Sequence, residues 1–164
     1  MSGVPIPREQ ARDPQGHRTG RNRDPERTPM QWNGEQHAGF SSHEPWLPVE
    51  EDVSGVNVAA QSADAKSMLN LHRGLIGLRA REPVLLGGAH IQVVRERPLL
   101  AYRREGDGRA LMILLNLGHE PRRCEVERGR AGRILLSTFM DRADEQTGDA
   151  LDLRADEGVV VAFD

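Results

Sequence analysis

Residues 110–117 have the sequence ALMILLNL, in which 111–115 are apolar without interruption. A short apolar run of this kind predicts a buried strand at the centre of a sheet. Other short stretches with the composition of strands are separated from it, and from one another, by turn residues such as Gly, Asp and Pro. They span 84–86, 91–94, 99–103, 122–126, 133–138, 151–153 and 158–163. This spacing predicts an antiparallel β-sandwich, so we expect a mainly β fold from residue 84 onward.

One long helix is predicted immediately before the strands. Over 62–80 the apolar residues recur at the i, i+3, i+4, i+7 spacing of a single helix face. We expect Ser62 to cap the start of this helix and Pro83 to end it. Gly74 and Gly77 lie in its interior, where each costs about 1 kcal/mol relative to alanine. We interpret them as positions where a neighbouring element packs closely.

The first 60 residues contain seven of the ten prolines and both tryptophans, and their apolar residues follow neither a strand nor a helix period. Proline fixes φ and has no backbone N–H, so we expect neither a long helix nor a central strand here. The composition predicts an irregular segment. Its large side chains, Trp32, Phe40 and Trp46, are interpreted as anchors for a larger surface.

Composition excludes several classes of function. The chain has 164 residues, a net charge of −3 and no apolar run of 18 residues, which argues against a nucleic-acid partner and a membrane span. The N-terminus lacks the basic and apolar parts of a secretory signal, and the single Cys124 favours a reducing, cytoplasmic compartment. The histidines and Cys124 do not have the spacing of metal ligands, so we expect neither a metal nor a cofactor.

Residues 23–33 have the sequence RDPERTPMQWN and are followed by AGFS at 38–41 and PWLPV at 45–49. These stretches resemble part of the α-amylase superfamily, glycoside hydrolase family 13, and within it the α-glucosidases and oligo-1,6-glucosidases. Asn33 departs from the pattern, since many members have an aspartate after Gln-Trp. The chain is too short for a whole (β/α)₈ barrel, which needs about 250 residues. The resemblance therefore implies the C-terminal portion of such an enzyme.

The resemblance also implies the domain organisation. Residues 1–60 would be the loop segment after the eighth barrel strand, on the active-site face. Residues 61–83 would be the last helix of the incomplete barrel, and 84–164 the C-terminal β-sandwich domain.

The resemblance to the α-glucosidases implies that the whole enzyme hydrolyses terminal α-linked glucose with retention of configuration. Their catalytic carboxyl groups lie at the ends of earlier barrel strands. None of the 25 acidic residues of this chain matches those motifs. No catalytic residue is therefore assigned, and we expect the chain alone to be inactive.

An arginine of the 23–33 segment is implied to hold the terminal glucose, together with an aspartate from an early loop of the enzyme. Arg23 is the first candidate and Arg27 the second, because a guanidinium presents a fixed fork of donors to hydroxyls and carboxylates. Asp24 either orients the arginine or caps a turn. Trp32 either packs the loop against the barrel or forms a platform for the sugar.

The implied partners are an α-glucoside or oligosaccharide, bound in the context of the full enzyme, and a polypeptide that supplies the barrel. A second class of function stays open at this point. The chain is alternatively a stand-alone β-sandwich module that binds carbohydrate or a partner protein. In that case Trp32, Phe40 and Trp46 would form its contact surface.

Overall fold

The computed structural model of the protein describes residues 6, 9, 11–19, 23–126 and 129–163. They form two compact units, one within Met1–Leu69 and one within Asn70–Asp164. The helices are α1 (Pro14–Thr19), α2 (Val58–Ala63), α3 (Met68–Arg81) and α4 (Val84–Gly87), with 3-10 turns at Asp24–Arg27 and Gln36–Gly39. The strands are β1 (Ala89–Glu96), β2 (Leu99–Gly106), β3 (Arg109–Asn116), β4 (Arg122–Glu125), β5 (Gly132–Ser137), β6 (Gln146–Thr147), β7 (Ala150–Leu153) and β8 (Gly158–Phe163). No helix in these ranges is long and apolar enough to cross a membrane.

The second unit contains two antiparallel sheets. Six strands form the larger sheet in the order β1-β2-β3-β8-β5-β6, and β4 pairs with β7 in a separate two-stranded sheet. The run at 110–117 forms β3, which lies between β2 and β8. The predicted central strand and the mainly β fold with an antiparallel sandwich are both confirmed.

The larger sheet is covered on both faces. Met112 and Leu114 of β3 belong to a buried cluster with Cys124 of β4 and Leu151 of β7. The alternate residues of β3, including Ile113, belong to a second cluster that contains residues of α3 and α4. Successive side chains of a strand point to opposite faces, so a strand covered on both sides needs apolar residues throughout. This double burial explains the uninterrupted apolar run.

The helix predicted over 62–80 is wrong at its beginning, because the chain forms two helices. The predicted cap, Ser62, lies inside α2, which instead begins after Asn57, whose side-chain oxygen accepts the amide three residues ahead at 2.8 Å. Between α2 and α3 the side chain of Asp64 accepts the amide two residues ahead at 2.9 Å, and the Ser67 hydroxyl donates to a carbonyl six residues earlier at 2.6 Å. Such local side-chain bonds compete with the helical ladder and interrupt it.

The strand predicted at 84–86 is also wrong, since these residues form α4. Pro83 has helical angles, φ −55° and ψ −27°, at the start of this turn. The Arg104 side chain of β2 donates to carbonyls of α4 at 3.3–3.5 Å. A cation at the last carbonyls of a helix stabilises its end.

The first unit has no strand among its described residues, and the helices before Asn57 have at most six residues, which agrees with the predicted irregular segment in the part of 1–60 that the structure describes. Backbone hydrogen bonds between its loops fix the conformation of this segment. The amides of Trp32 and Asn33 both donate to the Ala38 carbonyl, at 2.9 and 3.2 Å. The first two amides of α2 donate to the carbonyls of Gln31 and Trp32, both at 3.0 Å. The segment with the family motif is therefore fixed to the start of α2.

Candidate functional site

Arg23 is held by a buried carboxylate. Its Nε donates to Asp13 Oδ2 at 2.9 Å and its Nη2 donates to Asp13 Oδ1 at 3.2 Å. The Asp13 side chain is 1% exposed, whereas that of Arg23 is 59% exposed. Hydrogen bonds from Arg23 lower the pKa of Asp13 well below the usual range, so Asp13 is a carboxylate at neutral pH. The guanidinium of Arg23 is therefore exposed at the surface, and its orientation is fixed by the buried carboxylate of Asp13.

Asp24 is fully buried, and its hydrogen bonds come from backbone amides rather than from a guanidinium. Its Oδ2 accepts the amides of Arg12 and Asp13 at 2.6 and 3.1 Å. It begins the 3-10 turn that also contains Arg27. Asp24 therefore fixes the short stretch of backbone from which the Asp13 carboxylate projects.

The second candidate arginine is held less closely. Arg27 Nη1 lies 3.9 Å from Asp24 Oδ1, and the Arg27 side chain is 44% exposed. Asp24 Oδ1 is buried and accepts no hydrogen bond from the described residues. The two arginines therefore contact different carboxylates, and the distance from Arg23 to Asp13 is shorter than the distance from Arg27 to Asp24.

Trp32 is 51% exposed, and its amide is bound within the loop. Trp46 is 59% exposed and lies on the wall of a cleft of about 740 Å³ in the first unit. This cleft is lined mainly by loop residues, among them Arg12, His37 and five glutamates, Glu9, Glu35, Glu44, Glu50 and Glu51. A wall of this kind offers many acceptors to hydroxyl groups and repels anions.

The carboxyl group of Asp13 does not suit acid catalysis. A general acid of a glycosidase needs a raised pKa, whereas the pKa of Asp13 is lowered by its partner. Among the described residues no cluster of three His, Cys, Asp or Glu side chains could hold a metal ion. Cys124 is 3% exposed, and burial raises the pKa of its thiol, so it is a structural residue of the core.

Sequence reasoning missed Asp13. Its only local signal is its position before Pro14, where it caps α1 by accepting the Gln15 amide at 3.1 Å. The pairing of Asp13 with the guanidinium ten residues ahead cannot be predicted from any sequence pattern.

Comparison with known proteins gives the family. Residues 1–88 match the family described as alpha amylase, catalytic domain, and residues 86–161 match a domain of unknown function, DUF3459.

Trehalose-6-phosphate hydrolase of Escherichia coli (strain K12) is 34% identical over 140 residues, which are 85% of this chain and 25% of that protein. Salivary alpha-glucosidase of Aedes aegypti is 38% identical over 126 residues, 76% of this chain and 20% of that protein. Probable oligo-1,6-glucosidase 2 of Bacillus subtilis (strain 168) is 34% identical over 127 residues, 73% of this chain and 22% of that protein.

A solved isomaltulose synthase from Klebsiella sp. LX3 superposes with a TM-score of 0.77 at 25% identity and covers 87% of this chain and 26% of its own. The chain thus spans about a quarter or less of the length of these relatives. The resemblance found in the motif at 23–33 is confirmed: the chain belongs to the α-amylase family, glycoside hydrolase family 13.

Proposed function

We propose that this chain is the C-terminal portion of an α-glucosidase, and that it provides a substrate-binding arginine and a supporting β-sandwich. In this proposal 1–60 is the loop segment on the active-site face, 61–83 is the region that contains α3 as the last barrel helix, and 84–164 is the C-terminal domain. The whole enzyme would hydrolyse terminal α-linked glucose with retention. The barrel with its carboxyl groups would come from polypeptide beyond this chain.

One observation carries the proposal: Arg23 exposes its guanidinium although the inner edge of that guanidinium is held by Asp13. A long side chain at a surface is normally mobile, and ordering it on binding costs conformational entropy. Here two hydrogen bonds have already fixed the fork, so adjacent sugar hydroxyls meet donors that are in place. The single free Cys124 supports a reducing, cytoplasmic compartment for this function.

The test separates binding from catalysis. Saturation-transfer NMR of the full chain with methyl α-D-glucopyranoside should show binding that Arg23→Ala abolishes and Arg27→Ala reduces less. The same protein should release no product from 4-nitrophenyl α-D-glucopyranoside. Product release that Arg23→Ala abolishes would show that the chain contains its own catalytic acids and would overturn the proposal.

A second candidate function is a binding module without catalysis. The half-exposed side chains of Trp32, Phe40 and Trp46 favour it, since large exposed aromatics often mark binding surfaces. In that case Trp46→Ala should abolish sugar binding while Arg23→Ala leaves it unchanged. The opposite pattern would reject this candidate in favour of the arginine.

A further inference from the structure

Both carboxylate oxygens of Asp13 accept two hydrogen bonds each. Its Oδ2 accepts both the Nε and the backbone amide of Arg23, at 2.9 and 3.1 Å. Its Oδ1 accepts Arg23 Nη2 and the Gln15 amide, at 3.2 and 3.1 Å. The Asp13 amide in turn donates to Asp24 at 3.1 Å, so the backbone and the side chain of Asp13 are both fixed.

This contact uses only one edge of the guanidinium. Arginine has five N–H donors, and Asp13 takes one from Nε and one from Nη2. In the part of the chain that the structure describes, no hydrogen bond engages Nη1 of Arg23. The remaining donors therefore form a fork at the outer edge, on a side chain that is 59% exposed.

We infer that Asp13 is a positioning residue that both orients Arg23 and neutralises its charge, so that this arginine selects uncharged glucosides over phosphorylated ones. The inference rests on the proposed function, because it assumes that Arg23 contacts the sugar. It assigns a substrate class to that contact.

The selection follows from charge. An unpaired arginine at the surface attracts phosphate strongly, because it combines a full positive charge with a matching fork. Paired with an ionised Asp13, Arg23 keeps its hydrogen-bond donors but has no net charge to offer.

Asp24 provides a matched control because it is equally buried in the same segment but binds the amides of Arg12 and Asp13. Asp24 also lies 3.9 Å from Arg27, so the control is the double variant Asp24→Asn/Arg27→Ala, which leaves no arginine without its carboxylate. It should disturb the backbone and weaken the binding of every sugar by a similar factor. Asp13→Asn should instead change which sugar is preferred, because it removes the charge that balances Arg23.

The experiment measures, for the full chain, the affinities for methyl α-D-glucopyranoside and its 6-phosphate by ligand-observed NMR. We expect the wild type to prefer the neutral ligand. In Asp13→Asn the ratio of neutral to phosphorylated affinity should fall by about tenfold, the scale of one charged hydrogen bond. In Asp24→Asn/Arg27→Ala that ratio should stay within about twofold of the wild type.

A measurement on the wild type covers the case in which Asp13→Asn does not fold. The Nε–H of Arg23, assigned with Arg23→Lys, should exchange with water more slowly than the Nε–H of Arg123, whose side chain is 69% exposed. Equal exchange rates would overturn the inference, and so would an Asp13→Asn variant that weakens both ligands equally. If Arg23→Ala leaves binding of both ligands unchanged, the proposed function fails, and the inference fails with it.

Discussion

Glu157 is a buried acid on which the second unit depends. Its side chain is 0% exposed and accepts Arg154 Nη2 at 2.6 Å, the Arg154 amide at 2.8 Å and Arg142 Nη1 at 3.3 Å. Burial is the largest single influence and raises the pKa of Glu157, but the hydrogen bonds from Arg154 and the charges of Arg154 and Arg142 together outweigh it, so the pKa is lowered. We predict that Glu157→Gln strongly destabilises the folded chain.

The magnitude follows from the exposure of the partners. Removing one member of a fully buried pair costs about 3–5 kcal/mol, because the other charge is left uncompensated. Arg142 is 15% exposed and Arg154 is 44% exposed, so both regain part of their hydration. We therefore expect Glu157→Gln to lower the free energy of unfolding by about 2–3 kcal/mol. In a unit of this size the loss corresponds to a fall of about 10–15 °C in Tm.

The assay is thermal and urea unfolding of the full chain, followed by circular dichroism at pH 7. Asp152→Asn is the matched control, because Asp152 pairs with Arg123 where both side chains are about 70% exposed. Such a surface pair contributes about 0–1 kcal/mol, so the control should unfold close to the wild type. Equal stability of the two variants would refute the reasoning.

The pH dependence gives a second check on the same variant. A carboxyl group whose pKa is lowered by folding stabilises the protein above its ordinary pKa, and this stabilisation is lost as the pH falls through the lowered value. The difference between wild type and Glu157→Gln should therefore be full at pH 7 and shrink as the pH falls below about 4.5. A difference that stays constant down to pH 3 would contradict an ionised Glu157.

The remaining predictions concern packing in the second unit. Gly77→Ala should raise the free energy of unfolding by about 1 kcal/mol, because the atom nearest to the added Cβ, at 3.1 Å, is the movable end of the Arg81 side chain. Gly74→Ala should raise it less, because the added Cβ would lie 3.2 Å from Cδ1 of Leu136, which packs against the core. The reverse order in urea unfolding would contradict this packing. Leu114→Ala, at a fully buried position of β3, should cost about 2–5 kcal/mol in the same assay. Cys124 should react with a thiol reagent at pH 8 only after unfolding, since it is buried with a raised pKa.

The strands were predictable because their pattern is local. Turn residues separate them, and β3 shows its burial in consecutive apolar residues. Strand β6 was missed because Gln146–Thr147 is too short to show a period. The residues at 84–86 were assigned to the wrong element because three apolar residues fit one helical turn as well as a strand, and the carbonyl contacts of Arg104 come from a distant strand.

The sequence predicted close packing at the glycines of α3 but could not predict which glycine contacts a neighbouring element. Gly74 does meet a neighbouring element, since Leu136 of β5 lies against it, whereas the atom nearest to a Cβ at Gly77 belongs to Arg81 of the same helix. Gly39 shows another close approach: its φ is +63°, and a Cβ would lie 2.7 Å from Asn33 Oδ1. The glycine at 39 therefore fits both the left-handed backbone and the neighbouring side chain.

The motif gave Arg23 and Arg27 as candidates for binding the sugar but could not rank them by geometry. The sequence left two roles open for Asp24, orienting the arginine or capping a turn, and the short contacts to the Arg23 guanidinium come from Asp13. Asp24 binds the amide of Asp13 instead, so it acts on Arg23 through the backbone that holds Asp13. Arg27, at 3.9 Å from the remaining oxygen of Asp24, has a less defined position. A binding site gains affinity from donors that are fixed before the ligand arrives. The contact between Arg23 and Asp13 could not be predicted from the sequence, and it is the physical reason for preferring Arg23 over Arg27 as the candidate sugar-binding arginine.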